Sequence, residues 1–582
     1  MKTETMKTET VETDVLVVGA GSAGIMASIR AQDKGAKVLL ITNGALGKDS
    51  AVTWMTGGGF QCALYPPDSP EVHARDTVKN GSYINDQELV LAILKESSRC
   101  IMDLDKWGER FWKEGDRFIQ DVMPGHSYAR CMVMEKTKST GEIKGYEHRR
   151  ALPNQVRVKK IPLLEEFMVT DLLTADGRVV GVIGIDIVNG EFKVIAAKTV
   201  ILATGGYAAC FKRYLTGPSV IGWGLGMAYR VGAEFMDMEI VDFYPYCAVW
   251  PKLRCFSTWA ANLRYGLSGK FMNRSGFEFF DVYRKRGLAR PQSIYMEVKA
   301  DRGGPHGGIY LSFRHVPVNI IDEYLKRARS TIWYQQMIES GIDIRNEAVE
   351  IFPMAMSTLG GLKVDTGCRT TVPGLYAIGE LISGFDGAHS LAGNLMISCF
   401  ATGSIAGEAA AAEANHTAPP MLDKEQINTL RKKALKPMKQ AGGIRPFTVK
   451  AEIQDIAWEY ANIAGRTKDG LETARREIEK IKTEKLPQVC TAAKNMRYNR
   501  EWGQCLEIEN MITSVEMTIL GALTRTESRG LHFRDDYPRN DPNWIKNVVI
   551  KKNGEKMGVD VRPVTFPYFK PKERKEGGSA DD

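Results

Sequence analysis

The stretch TDVLVVGAGSAGIMASIRAQDKGAKVLLIT, residues 13–42, constrains this chain more than any other. Four consecutive apolar residues, Val15–Val18, suit a parallel strand buried on both faces. They run into Gly19-Ala20-Gly21-Ser22-Ala23-Gly24, then a helical pattern, then a second apolar run at Val38–Ile41. In this setting the glycines have separate tasks. Gly19 makes the tight turn, Gly21 lets a pyrophosphate approach the backbone, and Gly24 lets the helix pack on the strand. Ser22 and Ala23 open the helix, whose first amides have no partners and suit a phosphate. The pattern reads as a dinucleotide cradle. The second strand ends in Thr42-Asn43, where an Asp or Glu that grips a ribose is usual. Both count as candidate cofactor-side residues, and NAD as such is disfavoured.

Two later segments repeat the theme. KTVILATGG (198–206) is a buried strand ending in Ala203-Thr204-Gly205-Gly206, and TTVPGLYAIGEL (370–381) is another, with Gly379-Glu380 at its exit. Glu380 can take the ribose hydroxyls that the second strand leaves unheld. Three strands capped by glycine converge naturally at the C-terminal edge of one parallel sheet. A second glycine-punctuated turn, GFDGAHSLAGNLMIS (384–398), leads into a small-residue helix opened by Asn394 and Leu395. The two turns then hold opposite ends of one long cofactor, pyrophosphate at the first and the electron-rich edge of a flavin at the second.

Composition narrows the class. With 582 residues, 43% of them hydrophobic, the chain is expected to form two to four domains of an ordinary globular enzyme. Its net charge of +8 comes without a Lys/Arg block, which argues against nucleic acid as a partner. No run approaches the roughly 18 uninterrupted apolar residues of a membrane span. The start, MKTETMKTETVETD, is polar and carries no export pattern, so a cytoplasmic location is expected. The ten cysteines include no C-x-x-C pair. They read as small buried hydrophobes, and neither an iron–sulfur cluster nor a metal site is expected from this chain itself.

Further segments carry a resemblance. DTVKNGSYINDQELV (76–90), AEFMDMEIVDFYP (233–245), IYLSFRHV (309–316), STLGGLKVDTGCRTTVPGLYAIGE (357–380) and TRTESRGLHFRDDYPRNDPNW (524–544) span nearly the whole sequence. Together they resemble the flavoprotein subunits of fumarate reductase and succinate dehydrogenase, a group that includes L-aspartate oxidase and adenylylsulfate reductase. The resemblance implies an α/β fold: a Rossmann-like FAD-binding domain with an inserted α+β capping domain, then a C-terminal helical domain and an extended tail. The implied boundaries are a disordered start over 1–11, FAD domain over 12–232 and 352–420, cap over 233–351, helices over 421–530 and tail over 531–582.

In that family a substrate lies between flavin and cap, a cap arginine moves a proton, and His and Arg residues hold the substrate's carboxylates. The arginine matches Arg290 in GLARPQSIYMEV, with Glu297 and Arg314 as candidate relay groups. The carboxylate holders do not survive. The family's HPTG histidine falls on Tyr244, its HYTMGG histidine on Met356, and its GANRLGGNS arginine on Ser390. His389 beside it is a candidate for holding one anionic group. Tyr244 either donates a hydrogen bond to a substrate carbonyl or fills space, and Tyr246 and Trp250 are expected to add aromatic wall. The family's flavin-tethering histidine is missing from GKDSAVTWMTGGGFQCAL (47–64). FAD is therefore expected to be held non-covalently, by Ser50 and the backbone of Gly57, Gly58 and Gly59.

These departures imply an FAD oxidoreductase that reduces or forms a C=C bond next to a carboxyl or carbonyl group, in a substrate other than a C4 dicarboxylate. Electrons are expected through a separate iron–sulfur or other electron-transfer subunit. Amine oxidation of the L-aspartate oxidase type, adenylylsulfate reductase chemistry, and a flavin conduit without its own substrate remain alternatives.

Overall fold

The computed structural model describes residues 9–48, 51–54, 59–134, 147–250, 259–285, 288–329 and 332–571. A seven-stranded sheet forms its centre, in the order Leu163–Leu164, Val38–Ile41, Glu9–Val18, Glu191–Leu202, Arg178–Asp186 and Phe167–Ala175, with Leu375–Ala377 also paired to Glu191–Leu202. The first four of these and Leu375–Ala377 run parallel, while the other two form an antiparallel meander. Val15, Leu16 and Val17 are fully buried, as the unbroken apolar run requires. The three glycine-capped strands are neighbours, in the order Glu9–Val18, Glu191–Leu202, Leu375–Ala377. Their convergence was legible in the sequence.

Several boundaries differ from expectation. The first strand starts at Glu9, whose register partner is Lys193, so residues 9–11 belong to the sheet. Residues 1–8 of the expected disordered start lie outside the described ones. The strand read from residue 198 begins at Glu191, because its first half alternates apolar with polar residues and pairs antiparallel to Arg178–Asp186. The cap is built on a four-stranded antiparallel sheet, Val241–Ala248, Val349–Thr358, Ile309–Ser312 and Lys270–Met272. Its second strand runs on to Thr358, so a border at residue 351 cuts through a continuous ladder.

The tail is more structured than its Pro- and Lys-rich composition implies. Lys546–Asn553 and Lys556–Pro563 form a hairpin that joins Phe235–Met236 and Gly361–Leu362 in one sheet. These two short strands are the places where the chain enters and leaves the cap. The C-terminal helices Lys424–Lys439, Pro446–Tyr460, Lys468–Lys480 and Arg500–Thr524 were expected.

The helix Asn394–Asn415 is long and apolar enough to cross a membrane by length and composition, yet 61% of its apolar window is buried inside the fold. It is a core helix, packed between Ser22–Asp33 and Gln87–Trp107. Its closest approach is backbone to backbone. A Cβ on Gly403 would sit 2.3 Å from the Ala23 carbonyl oxygen, and one on Gly407 2.4 Å from that of Ala27. Beside this crossing Arg30 donates to Ser404 Oγ at 2.8 Å and pairs with Asp103. Gly407→Val should therefore destabilise the protein by about 1–3 kcal/mol, seen as a lower midpoint in denaturant unfolding. Gly442→Ala, at a position with nothing within 4 Å, serves as the control and should leave the midpoint in place.

Candidate functional site

The site begins where the three parallel strands end. Gly19 donates to Ile41 O at 2.8 Å, Ala203 donates to Val18 O at 2.8 Å, and Ile378 donates to Leu202 O at 3.0 Å. The strand ends are thereby tied in a row. Gly19 has φ +113°, and a Cβ there would lie 2.3 Å from the Ala203 carbonyl oxygen. On Gly24 a Cβ would lie 1.8 Å from the Gly19 oxygen. No residue with a side chain fits either place. Gly205, by contrast, has φ +74° and open space around it.

The helix that follows is capped by a residue the sequence reading missed. Thr53 Oγ1 accepts from the Ser22 amide at 3.0 Å and lies 3.1 Å from Ser22 Oγ. Thr53 lies on the loop expected to face the flavin, but no motif singles it out. Of the other loop residues, Ser50, Gly57 and Gly58 lie outside the described ones, while Gly59 packs 3.3 Å from Gly393 Cα by its notional Cβ. At the second strand Thr42 is buried and bonded through its backbone to Leu164 and Phe167. Asn43 is exposed and lines a cavity of about 420 Å³ with Lys48, Glu166, Trp223, Lys450 and Arg500. Thr204 turns its hydroxyl toward Gly224, 2.2 Å from that residue's notional Cβ.

The second glycine turn differs in detail from expectation. Asn394 is fully buried and faces away from the sheet ends, its Oδ1 2.8 Å from His73 Nε2 and its Nδ2 donating to Thr77 Oγ1 at 2.9 Å. Its side chain anchors the turn, and the amides of the first turn, from Leu395 on, are the groups left without helical partners. Behind them His126 Nε2 lies 2.8 Å from Ala392 O. Burial, with Arg130 adding to it, holds His73 neutral by pushing its pKa down to about 3. Gln61 is fully buried against Gly393, and neither amide atom has a hydrogen-bond partner. A cofactor edge at this turn fits such a group.

On the cap side the structure brings four of the five catalytic candidates to one place. Ser390 Oγ donates to Asp242 Oδ2 at 2.8 Å, and His389 faces the same carboxyl. Asp242 and Tyr244 lie two residues apart on the strand Val241–Ala248. Met356, half-buried, is the extra residue in the bulge where that strand's register with Val349–Thr358 shifts. Arg290, the fifth, starts the helix Arg290–Lys299, its guanidinium 5.3 Å over the Phe280 ring and its Nε buried without a partner. That helix start is tied to the turn. Gln292 Nε2 donates to Gly530 O at 3.1 Å, and the next residue, Leu531, donates to Ala388 O at 2.9 Å.

The relay candidates are elsewhere. Glu297 is consumed by Arg302, the Tyr283 hydroxyl and Asn273, and Arg314 is exposed. Of the expected aromatic wall, Tyr246 packs inward on Phe271, 6.0 Å between centroids, and Trp250 is exposed and stacked on His306 at 4.0 Å.

Three acids collect around this pocket. Glu380 Oε1 accepts from the Thr358 amide at 3.0 Å and stands 2.3 Å from a notional Cβ on Gly206. That oxygen ties Glu380 to the end of the cap strand Val349–Thr358. Burial, reinforced by Asp242, pushes the Glu380 carboxyl up to about 7. Burial, then Asp242 and Glu380, push Asp386 up to about 7 as well. Burial also raises Asp242, opposed by His389 and the Ser390 hydroxyl. The nine described cysteines are all free, seven of them buried, with Cys131 and Cys399 half-buried.

Comparisons with known proteins agree with this arrangement. Residues 14–396 match the model of an FAD binding domain and residues 450–576 that of the fumarate reductase flavoprotein C-terminus. The chain is 32% identical to a subunit of the fumarate reductase (CoM/CoB) of Methanothermobacter marburgensis, across 94% of this chain and 99% of that one. It is 28% identical to the L-aspartate oxidase of Streptomyces coelicolor, over 96% and 94% of the two chains. Among solved structures, Sdh1 of Mycobacterium smegmatis in complex with UQ1 superposes with a TM-score of 0.86 at 28% identity, covering 96% of each chain.

Two outcomes follow from the site. Acid precipitation of the purified yellow protein should release all of its flavin as FAD, since residues 47–64 contain no histidine; flavin retained on the washed pellet would overturn this. The second concerns Asp386, whose pKa in the fold stands above its unfolded value near 4. Its contribution to stability is full below that value and is lost as pH rises through about 7. Asp386→Asn should thus raise the melting temperature of the FAD-free protein at alkaline pH and do little at pH near 4, with a ceiling of about 4 kcal/mol.

Proposed function

This chain belongs to the FAD-dependent fumarate reductase and succinate dehydrogenase flavoprotein family, and on that premise we propose that it reduces or forms a C=C bond next to a carboxyl or carbonyl group in a substrate other than fumarate or succinate. The observation that carries the reading is the Ser390–Asp242 hydrogen bond. It stands where the resemblance calls for an arginine gripping a carboxylate. Removing one partner of such a pair costs on the order of 2–5 kcal/mol, and Tyr244 and Met356 remove two more holders. A C4 dicarboxylate is left without its grip.

Bound FAD supplies hydride transfer to or from the substrate carbon. The residues of this chain do the rest. Gly19, Gly21 and the Ser22 end of the first helix receive the pyrophosphate, and the first turn after Asn394 receives the ring edge. The cap strands place Tyr244 and Met356 over the reacting carbons and keep water from them. Tyr244 polarises the substrate carbonyl through its hydroxyl, and His389 holds an anionic end. Arg290 holds the proton that the neighbouring carbon gains or loses. A guanidinium keeps its proton to a pH above about 12. It acts as an acid only against a strongly rising substrate charge, which its buried, unpartnered Nε favours.

Electrons reach or leave the flavin through a separate iron–sulfur or other electron-transfer subunit, and the assembly works in the cytoplasm. The test is a stopped-flow screen of enoates and enones against photoreduced enzyme. With a substrate in hand, Arg290→Lys should retain FAD and dithionite reducibility but lose turnover by about 100- to 10,000-fold. Lysine keeps the charge and loses the planar fork. Turnover near the wild-type rate would move the proton to Tyr244, and an empty screen would remove the C=C reading.

A further inference from the structure

Buried acids in this fold are as a rule paired with arginine. Asp68 and Asp76 hold Arg130 at 2.7 and 2.6 Å, and Glu239 and Asp237 hold Arg525 at 2.6 and 3.0 Å. Three acids between cap and sheet break that rule. Asp242, Glu380 and Asp386 interact with one another, and none has an arginine or lysine partner among the described residues. Uncompensated carboxyls in a low-dielectric pocket are costly, and a cluster of them beside a reacting centre marks a place where a ligand completes the charge balance.

Two further observations point to a ligand. Asp386 is 8% exposed, and its Oδ1 has no hydrogen-bond partner. Ser357, the cross-strand neighbour of Asp242, is 4% exposed, and its Oγ has none either. The polarity of the groups is equally informative. Ser390 spends its only hydrogen on Asp242, so its oxygen can accept but not donate. A carboxylate here meets carboxyls, with the Ser357 hydroxyl left to donate to it. A group that donates hydrogen bonds and carries positive charge meets complementary partners. No set of three or more His, Cys, Asp or Glu among the described residues is arranged to hold a metal ion, which favours an organic cation. Asp386 and Glu380 have no cationic group among the influences on them. Arg290 directs its guanidinium over Phe280.

We infer that Asp242, Asp386 and Ser390 together receive a positively charged nitrogen of the substrate, a protonated or alkylated ammonium group, in the place where relatives are built for a carboxylate. The inference rests on the reading of these residues as the substrate side of the flavin. The reacting bond with its carbonyl or carboxyl neighbour then lies toward Arg290 and His389, and the ammonium toward the acids.

The test is equilibrium binding to the oxidised holoenzyme, read from the flavin absorption bands. Succinate and putrescine present the same four-carbon chain with opposite end charges. Putrescine should give a saturable spectral change, and succinate none over the same range. Putrescine binding should tighten as pH rises through about 7, where Asp386 and Glu380 lose their protons. Asp242→Asn should weaken it by about 30-fold or more. Ser390→Arg, which sets a guanidinium against Asp242, should abolish it, and this variant carries the test where Asp242→Asn fails to retain FAD. A succinate response at equal or lower concentration, no putrescine response up to about 100 mM, or an undiminished response in Ser390→Arg overturns the inference. No turnover enters the measurement, so an empty enoate screen leaves it standing, and a failed titration leaves the C=C reaction standing.

Discussion

The structure depends on contact between backbones with no side chain between them. The helix Ser22–Asp33 leaves the sheet at Gly19, closes on it at Gly24, and meets the helix Asn394–Asn415 at Gly403 and Gly407. Both helix starts carry amides without helical partners, the Ser22 amide being taken by Thr53 Oγ1. Two helix N-termini can serve one extended cofactor only when their axes are this close. The glycines lower helix propensity by roughly 1 kcal/mol each, and the burial of two helices against each other and the sheet offsets it. Arg30, bonded to Ser404 and paired with Asp103, fixes the crossing from its polar side.

A second constraint acts where the chain enters and leaves the cap. Phe235–Met236 and Gly361–Leu362 pair with each other, and the hairpin beginning at Lys546 extends their sheet. Just beyond, Arg525 joins Asp237, Glu239 and Glu527 in a fully buried ionic cluster, and Asn547 donates to Asp237 Oδ2 at 2.7 Å. A Cβ on Gly360 would stand 2.2 Å from the Asp237 carbonyl oxygen. The last part of the chain therefore holds both crossings of the cap. That anchorage fixes how Tyr244 and Met356 face the sheet.

Much of this was legible in the sequence because local chemistry set it. The Gly19–Gly24 turn, the small residues after Asn394 and the apolar run Val15–Val18 each admit few structures. The misreadings share one cause, which is that side-chain direction is decided by tertiary neighbours. Asn394 looks like a cofactor ligand by position, but His73 and Thr77, more than 300 residues away in sequence, take its amide. Glu297 lies about two turns from Arg290 on the same helix face, yet Arg302 and Tyr283 claim it. Trp250 reads as pocket wall, but it lies two residues past its strand and stacks on His306. Thr53 and Gln61 stand in no motif and were missed for that reason.

The substitutions at Tyr244, Met356 and Ser390 could be taken one at a time as losses. Asp242 makes them a set. An arginine at residue 390 would neutralise Asp242, and a carboxylate at residue 242 without that arginine is a buried charge seeking a partner. With serine at 390 the carboxyl keeps one hydrogen bond and remains open on its other side. Asp386, on the same turn, adds to the imbalance instead of relieving it. A pocket that had merely lost its function would be free to replace these acids with apolar residues, which cost less to bury. Their presence together in a buried cluster is what a positively charged ligand group would balance.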